Sequence, residues 1–247
     1  MERLTRTFSV FFLACATLSF SAITGRAQSG PFTNSLGMKF VPIPGTKILM
    51  CTTDTTVAQY KAAGLGYQAP KFPQGPTHPA VNVSWDDAQA WCRWLSKKEG
   101  RKYRLPKESE WNAAVGPTTY PWGNQWPPPN NCANYAGQEM RSLSQAEAER
   151  SLFKGFTLIK GFSDRHVFTS PVGSYPANAL GLYDMGGNVC QWCEDWYDGK
   201  HDARVLRGGS WSDFGEVNLR SAYRNGVRPA GRRDGCGFRC VLVVSGG

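Results

Sequence analysis

Residues 78–111 read HPAVNVSWDDAQAWCRWLSKKEGRKYRLPKESEW, and this stretch sets the architecture. Ser84, followed by Asp87 three residues on, makes a capping box that opens a helix. Ala88, Trp91, Cys92 and Leu95 recur on one face of that helix and Gly100 ends it, so the face is core. After it, Pro106 at a first turn, Glu108 and Glu110 near the positive helix end, and Gly116 as a stop predict a second helix over 106–115. Working outward, helices are expected over 56–63 and over 143–153, the latter capped by Ser142. Between them the chain is rich in turns: Pro121-Trp122-Gly123, Pro127-Pro128-Pro129, the segment 184–188 and Gly208-Gly209. Strands are expected at 37–43, 155–160, 204–207 and 237–244. With no repeat and no linker, the pattern predicts one α+β domain, loop-rich and poor in regular secondary structure, its loops held by aromatic residues and disulfides.

The ends and the charge add context. Residues 1–27 read as a cleaved export signal: Arg3 and Arg6, then the apolar run 8–20, then Gly25-Arg26-Ala27 as a cleavage site. The alternatives are an uncleaved signal, which would be the chain's only membrane contact, and a lipid on Cys15. Export makes the protein secreted or periplasmic. Losing Arg3, Arg6, Arg26 and Glu2 takes the net charge from +9 to about +7. That excess is scattered, which excludes a nucleic-acid stripe and favours a solvated basic surface.

Export also bears on the cysteines. Cys51, Cys92, Cys132, Cys190, Cys193, Cys236 and Cys240 remain, an odd number, so at least one thiol is left over in an oxidising compartment. Cys190-x-x-Cys193 invites a zinc or thioredoxin reading, but no further clustered ligands and no βαβ setting accompany it; a structural role is expected.

Residues 204–225, RVLRGGSWSDFGEVNLRSAYRN, have the look of a binding cleft and hold no cysteine, histidine or lysine. Ser210 lacks a nucleophile elbow and a dedicated base, so it caps a turn or contacts a ligand. Arg220 and Arg224, with Asn225, present planar forks that suit a carboxylate or a peptide backbone, or else brace loops through buried carbonyls.

Six blocks in register carry a resemblance: residues 78–111 above, then YPWGNQW, GLYDMGGNVCQW, RVLRGGSW, NLRSAYRN and GFRC. Over 34–247 the chain resembles the formylglycine-generating enzyme, or sulfatase-modifying factor, family. The resemblance implies a single domain related to C-type lectins, and a cleft that includes Ser210 and Trp211. In that family the enzyme oxidises a sulfatase cysteine to formylglycine with oxygen and copper, the metal held by two thiolates five residues apart shortly after the GGS turn. Here residues 194–235 contain no cysteine, and Asp213, Glu216 and Asn218 supply hard oxygens. Copper(I) is soft and selects sulfur, so copper is not expected.

The resemblance also implies two calcium sites. The first maps onto Asn134, Tyr135, Asp164 and the backbone oxygen of His166. The second maps onto Asp184, the carbonyls of Gly187 and Val189, and Gln191, where family members often carry Glu; each set could instead be a hydrogen-bonded Asx turn. A disulfide between Cys92 and Cys240 is implied as well. Cys190 stands where the family has Trp, and its partner could be Cys132, Cys236 or Cys51. The expected function is a non-catalytic domain that binds a peptide, protein or glycan in the cleft. The alternatives are an oxidase with altered ligands and an iron-dependent sulfoxide synthase, which would need a helical histidine domain that this chain lacks.

Overall fold

The computed structural model describes residues 30–142 and 157–244; the signal read at 1–27 and the helix read over 143–153 lie outside them. The three helices that were expected within this range form. α1 (Val57–Lys61) is capped by Thr56, α2 (Trp85–Glu99) by Ser84, and α3 (Glu108–Val115) begins after Lys107. The box at Ser84 is reciprocal: Asp87 N–H donates to Ser84 Oγ at 3.1 Å and Ser84 N–H to the Asp87 carboxylate at 3.0 Å. Gly100, left-handed at φ 64°, closes α2, and Ala88, Trp91, Cys92 and Leu95 are its buried residues.

Two sheets flank the core. The first runs in the order β1 (Phe32–Thr33), β2 (Lys39–Pro42), β3 (Ile48–Cys51), β9 (Val241–Val243), β4 (Tyr103–Arg104), antiparallel throughout. The second runs β7 (Arg224–Val227), β6 (Arg204–Arg207), β5 (Cys190–Trp196), β8 (Cys236–Gly237), with β5 and β8 parallel. Two expected strands change. Residues 157–160 form no strand; Ile159 N–H bonds to Ala136 O and its side chain packs with Tyr135 and Phe162 in a looped layer. The strand expected over 237–244 is two short ones, because the chain leaves the second sheet at Gly237 and joins the first at Val241.

The crossing residues Phe238, Arg239 and Cys240 are fully buried, and Arg239 ties the two sheets together. Its Nε donates to Gln191 Oε1 on β5 at 2.9 Å. Nη1 reaches Cys51 O at the end of β3 at 3.2 Å, and Nη2 reaches Tyr183 O at 2.7 Å and Asp184 O at 3.2 Å. Gln191 Oε1 also accepts the indole N–H of Trp111 on α3 at 2.8 Å. Asp54, equally buried, lies 3.5 Å from the guanidinium; burial pushes its carboxyl up to about 8 while Arg239 pulls the other way.

The resemblance-implied partners Cys92 and Cys240 share one core cluster with Cys51, and all seven cysteines of the described region are free thiols in this structure. Among the described residues no helix is long and apolar enough to cross a membrane.

Replacing Arg239 by Met strands several buried acceptors and the Asp54 carboxyl, so it should lower stability by on the order of 3–5 kcal/mol. Arg239→Lys should recover only part of this, since one ammonium cannot span the same acceptors. Urea denaturation midpoints of the two variants check both statements.

Candidate functional site

The Gly208-Gly209 turn brings β6 against the 184–188 loop. Gly208 sits at φ 97°, and a Cβ there would meet Met185 O at 3.0 Å. On the facing loop Gly187 leaves room for Asn134 O, which a Cβ would approach to 2.6 Å. Asn188, fully buried and not anticipated from sequence, locks this junction: its side chain bonds Ser170 N–H at 3.0 Å, and its carbonyl accepts Trp211 N–H at 3.0 Å.

Beyond that turn lies a small polar cluster. Ser210 donates both its N–H and its hydroxyl to Asp213 Oδ2, each at 2.8 Å, and Asp213 N–H returns to Ser210 O at 3.0 Å. This is a closed turn in which the hydroxyl is already a donor, which fits the capping reading of Ser210. Burial pushes the Asp213 carboxyl up, and bonds from Ser210 and from the Asn218 side chain hold it back. Asp213 and Asn218, five residues apart, thus meet in one network.

The cluster does contain sulfur, contrary to the expectation from residues 194–235. Cys190 and Cys236 lie just outside that window, and the parallel pairing of β5 with β8 sets them opposite one another. Cys190 Sγ faces Asp213 Oδ2 at 4.0 Å, and a hydrogen bond with Cys236, then burial, raises the Cys190 thiol well above its ordinary range. Cys193, three residues along the same strand, points to the opposite side and packs with Trp111 and Val205, so Cys190 and Cys193 do not converge as a zinc or redox motif would require.

A groove of about 880 Å³ lies nearby, lined by Glu108, Asn112, Arg207, Arg220, Ser221 and Arg224 among others. Arg224 binds Glu108 through two bonds of 2.9 Å, and buried Arg207 binds the same carboxylate at 2.6 Å. Burial alone would raise the Glu108 carboxyl; the two arginines outweigh it and hold it below the usual range. Arg224 therefore braces α3 against the second sheet while one face stays on the groove. Arg220 is exposed and pairs with Glu216 at 3.1 Å. Glu108 and Arg207 were missed from sequence; the charge of Glu108 had been assigned to the helix end alone.

The five expected ligand residues therefore separate. Arg220 and Arg224 share the groove, Ser210 belongs to the polar cluster, and Asn225 turns back to accept Gly226 N–H at 2.7 Å on edge strand β7. Trp211 differs from expectation. It is buried against Phe72 and Phe168 with its indole N–H on Asp234 O, which makes it part of the floor and leaves no face for a ligand.

The two calcium sets differ in fit. In the first, Asn134 Oδ1 is buried and accepts no hydrogen bond from a described residue, while the amide nitrogen is spent on Phe168 O at 2.8 Å. Asp164 gathers the backbone N–H groups of Tyr135 and His166 at 2.8 and 2.9 Å, and burial pushes its carboxyl up to about 7. An oxygen without a donor beside a buried carboxyl suits a hard cation. The second set fits poorly. Gln191 Oε1 already accepts from Trp111 and Arg239, its amide donates to Asp184 O, and the Arg239 guanidinium brings positive charge to the Asp184 carbonyl. Among the described residues no three His, Cys, Asp or Glu side chains cluster to hold a metal, so a cation in the first set would have one carboxylate, that of Asp164, beside amide and carbonyl oxygens.

The sequence profile of the sulfatase-modifying factor enzyme 1-like domain matches residues 28–244. The chain is 33% identical over 187 residues to a formylglycine-generating enzyme of Streptomyces coelicolor, covering 67% of this chain and 53% of that protein. It is 37% identical over 173 residues to the inactive C-alpha-formylglycine-generating enzyme 2 of Bos taurus, covering 66% and 50%. The chain thus spans about half the length of these curated relatives. In fold it is similar to PvdO from Pseudomonas aeruginosa, with TM-score 0.67 and 24% identity over 87% of this chain and 98% of that one. With its loop-rich α+β fold, the chain belongs to the formylglycine-generating enzyme family of sulfatase-modifying factor domains.

Proposed function

We propose that this is an exported, non-catalytic member of the family that binds a peptide, protein or glycan ligand in the cleft between the Ser210 cluster and the arginine groove. One observation carries the reading: in the stretch after the GGS turn, where the resemblance puts two copper thiolates five residues apart, there is no cysteine, and Asp213 is taken up by the N–H and hydroxyl of Ser210 at 2.8 Å each. Hard oxygens committed to a closed turn do not select a soft cation. A relative named as inactive is consistent with it, as is the charge of the groove, where three arginines face one glutamate. Export rests on the signal pattern of residues 1–27.

A second reading, an oxidase working through altered ligands, is favoured by the Cys190 and Cys236 thiols beside Asp213. The two separate in one assay. Purified protein supplied with copper(I) and oxygen should leave a CxPxR-type sulfatase peptide unchanged; a peptide mass showing loss of sulfur and gain of oxygen would establish the oxidase and end the binding reading.

Three further outcomes follow. Arg220→Ala should weaken capture of acidic peptides roughly tenfold relative to neutral ones, with no change in melting temperature, since Arg220 is exposed. Glu108→Gln should destabilise by on the order of 2 kcal/mol at neutral pH. Because the folded Glu108 carboxyl lies below its ordinary 4.5, its stabilisation is present above that value and lost as pH falls through the lowered one, so variant and wild-type melting curves should converge in acid. Calcium held by Asn134, Tyr135, Asp164 and His166 should raise the melting temperature, reversibly with chelator, and Asn134→Leu should remove the response. An unchanged melting temperature with no metal by elemental analysis would dismiss it.

A further inference from the structure

We propose that Cys190 and Cys236 are a redox couple that closes into a cross-strand disulfide at the floor of the cleft. The two residues head adjacent parallel strands in direct register, with Gln191 opposite Gly237 as the next pair. Cys190 N–H donates to Gly235 O at 2.8 Å, which fixes the approach of the strands. Neighbouring strands run about 4.8 Å apart, inside the roughly 4.4–6.8 Å range of Cα separations that a disulfide spans. Register partners point to the same face, so the two side chains leave their strands side by side.

The other candidate partners for Cys190 lie elsewhere. Cys132 lines a separate cavity of about 310 Å³ with Trp122 and Tyr175. Cys51 ends β3 in the first sheet, bonded through its carbonyl to Arg239 and through its N–H to Cys240 O. The choice that sequence left among Cys51, Cys132 and Cys236 therefore falls on Cys236.

The chemistry needs an oxidant, and a small or protein disulfide of the export compartment serves. Cys190 is half-buried and Cys236 buried, so Cys190 is the thiol that meets it. Its thiolate attacks one sulfur of the oxidant and expels the other as a thiolate, leaving a mixed disulfide. Cys236, deprotonated, then attacks the Cys190 sulfur and releases the second thiolate. In sum two protein thiols become one disulfide while one external disulfide becomes two thiols. The raised Cys190 thiol makes the exchange slow at neutral pH and faster in alkali.

Closure has two effects on the site. The loop it ties, residues 190–236, carries β6, Ser210, Asp213, Arg220 and β7, so the cleft is pinned at both ends. The Cys190 S–H no longer donates to Asp213, and the soft sulfur of the cluster is consumed. The inference stands on strand register and does not depend on the binding reading.

Thiol mapping of the full chain tests it. Protein held in oxidised or in reduced glutathione is quenched in acid, treated with N-ethylmaleimide, digested with trypsin and analysed by mass spectrometry. In the oxidised sample the peptide 166–200 should be linked to 234–239, and in the reduced sample both should be alkylated. Because 166–200 also contains Cys193, Cys193→Ala should keep the link and Cys190→Ser should lose it. A link from Cys190 to Cys132 or Cys51, dependence on Cys193, or full alkylation of both thiols after oxidation would overturn the proposal.

Discussion

The buried guanidinium of Arg239 is the interaction on which the remaining structure depends. Loop-rich domains lack long ladders in which backbone groups satisfy one another, so their turns need donors from elsewhere. Arg239 supplies them where the chain passes directly from the second sheet back to the first, meeting carbonyls from β3 and from the 183–184 turn and the side-chain amide oxygen of Gln191. Gln191 in turn holds Trp111, so α3 is oriented by the same centre. Asp54 supplies opposite charge to a cation that would otherwise be costly to bury. The same arrangement explains why Gln191 is a poor metal ligand: its oxygen already has two donors.

Legibility followed the range of the forces involved. The caps at Ser84, Thr56 and Gly100 act within one turn, so α1 and α2 could be read from adjacent residues, as could β6 between its flanking turns. β3 and β5 were not read: Ile48–Cys51 is a short run buried throughout, and Cys190–Trp196 is buried over 191–193 and half-buried at its other residues, so neither has the alternation that marks a half-exposed strand. The division of residues 237–244 was equally hidden, because its cause is the distant set of acceptors gathered by Arg239.

The site shows the same limit. Counting cysteines between 194 and 235 was sound as arithmetic and missed the thiols, since Cys190 and Cys236 enter the cluster by strand pairing. Trp211 was grouped with the cleft, and its burial against Phe72 and Phe168 depends on residues far away in the chain. The family was visible in six ordered blocks; the contact of Asp213 with Ser210 and the pairing of Cys190 with Cys236 come from turn geometry and strand register, which those blocks do not display.

Glu108 gives the groove an unusual starting condition. Its carboxylate already occupies the fork of Arg224, and Arg207 behind it is held by the same anion. An incoming carboxylate that takes Arg224 must displace a resident one, leaving Glu108 to Arg207 alone. On the proposed binding role, recognition there would be an anion exchange, its strength set by the difference between two carboxylates and its selectivity by how well a guest imitates a tethered glutamate.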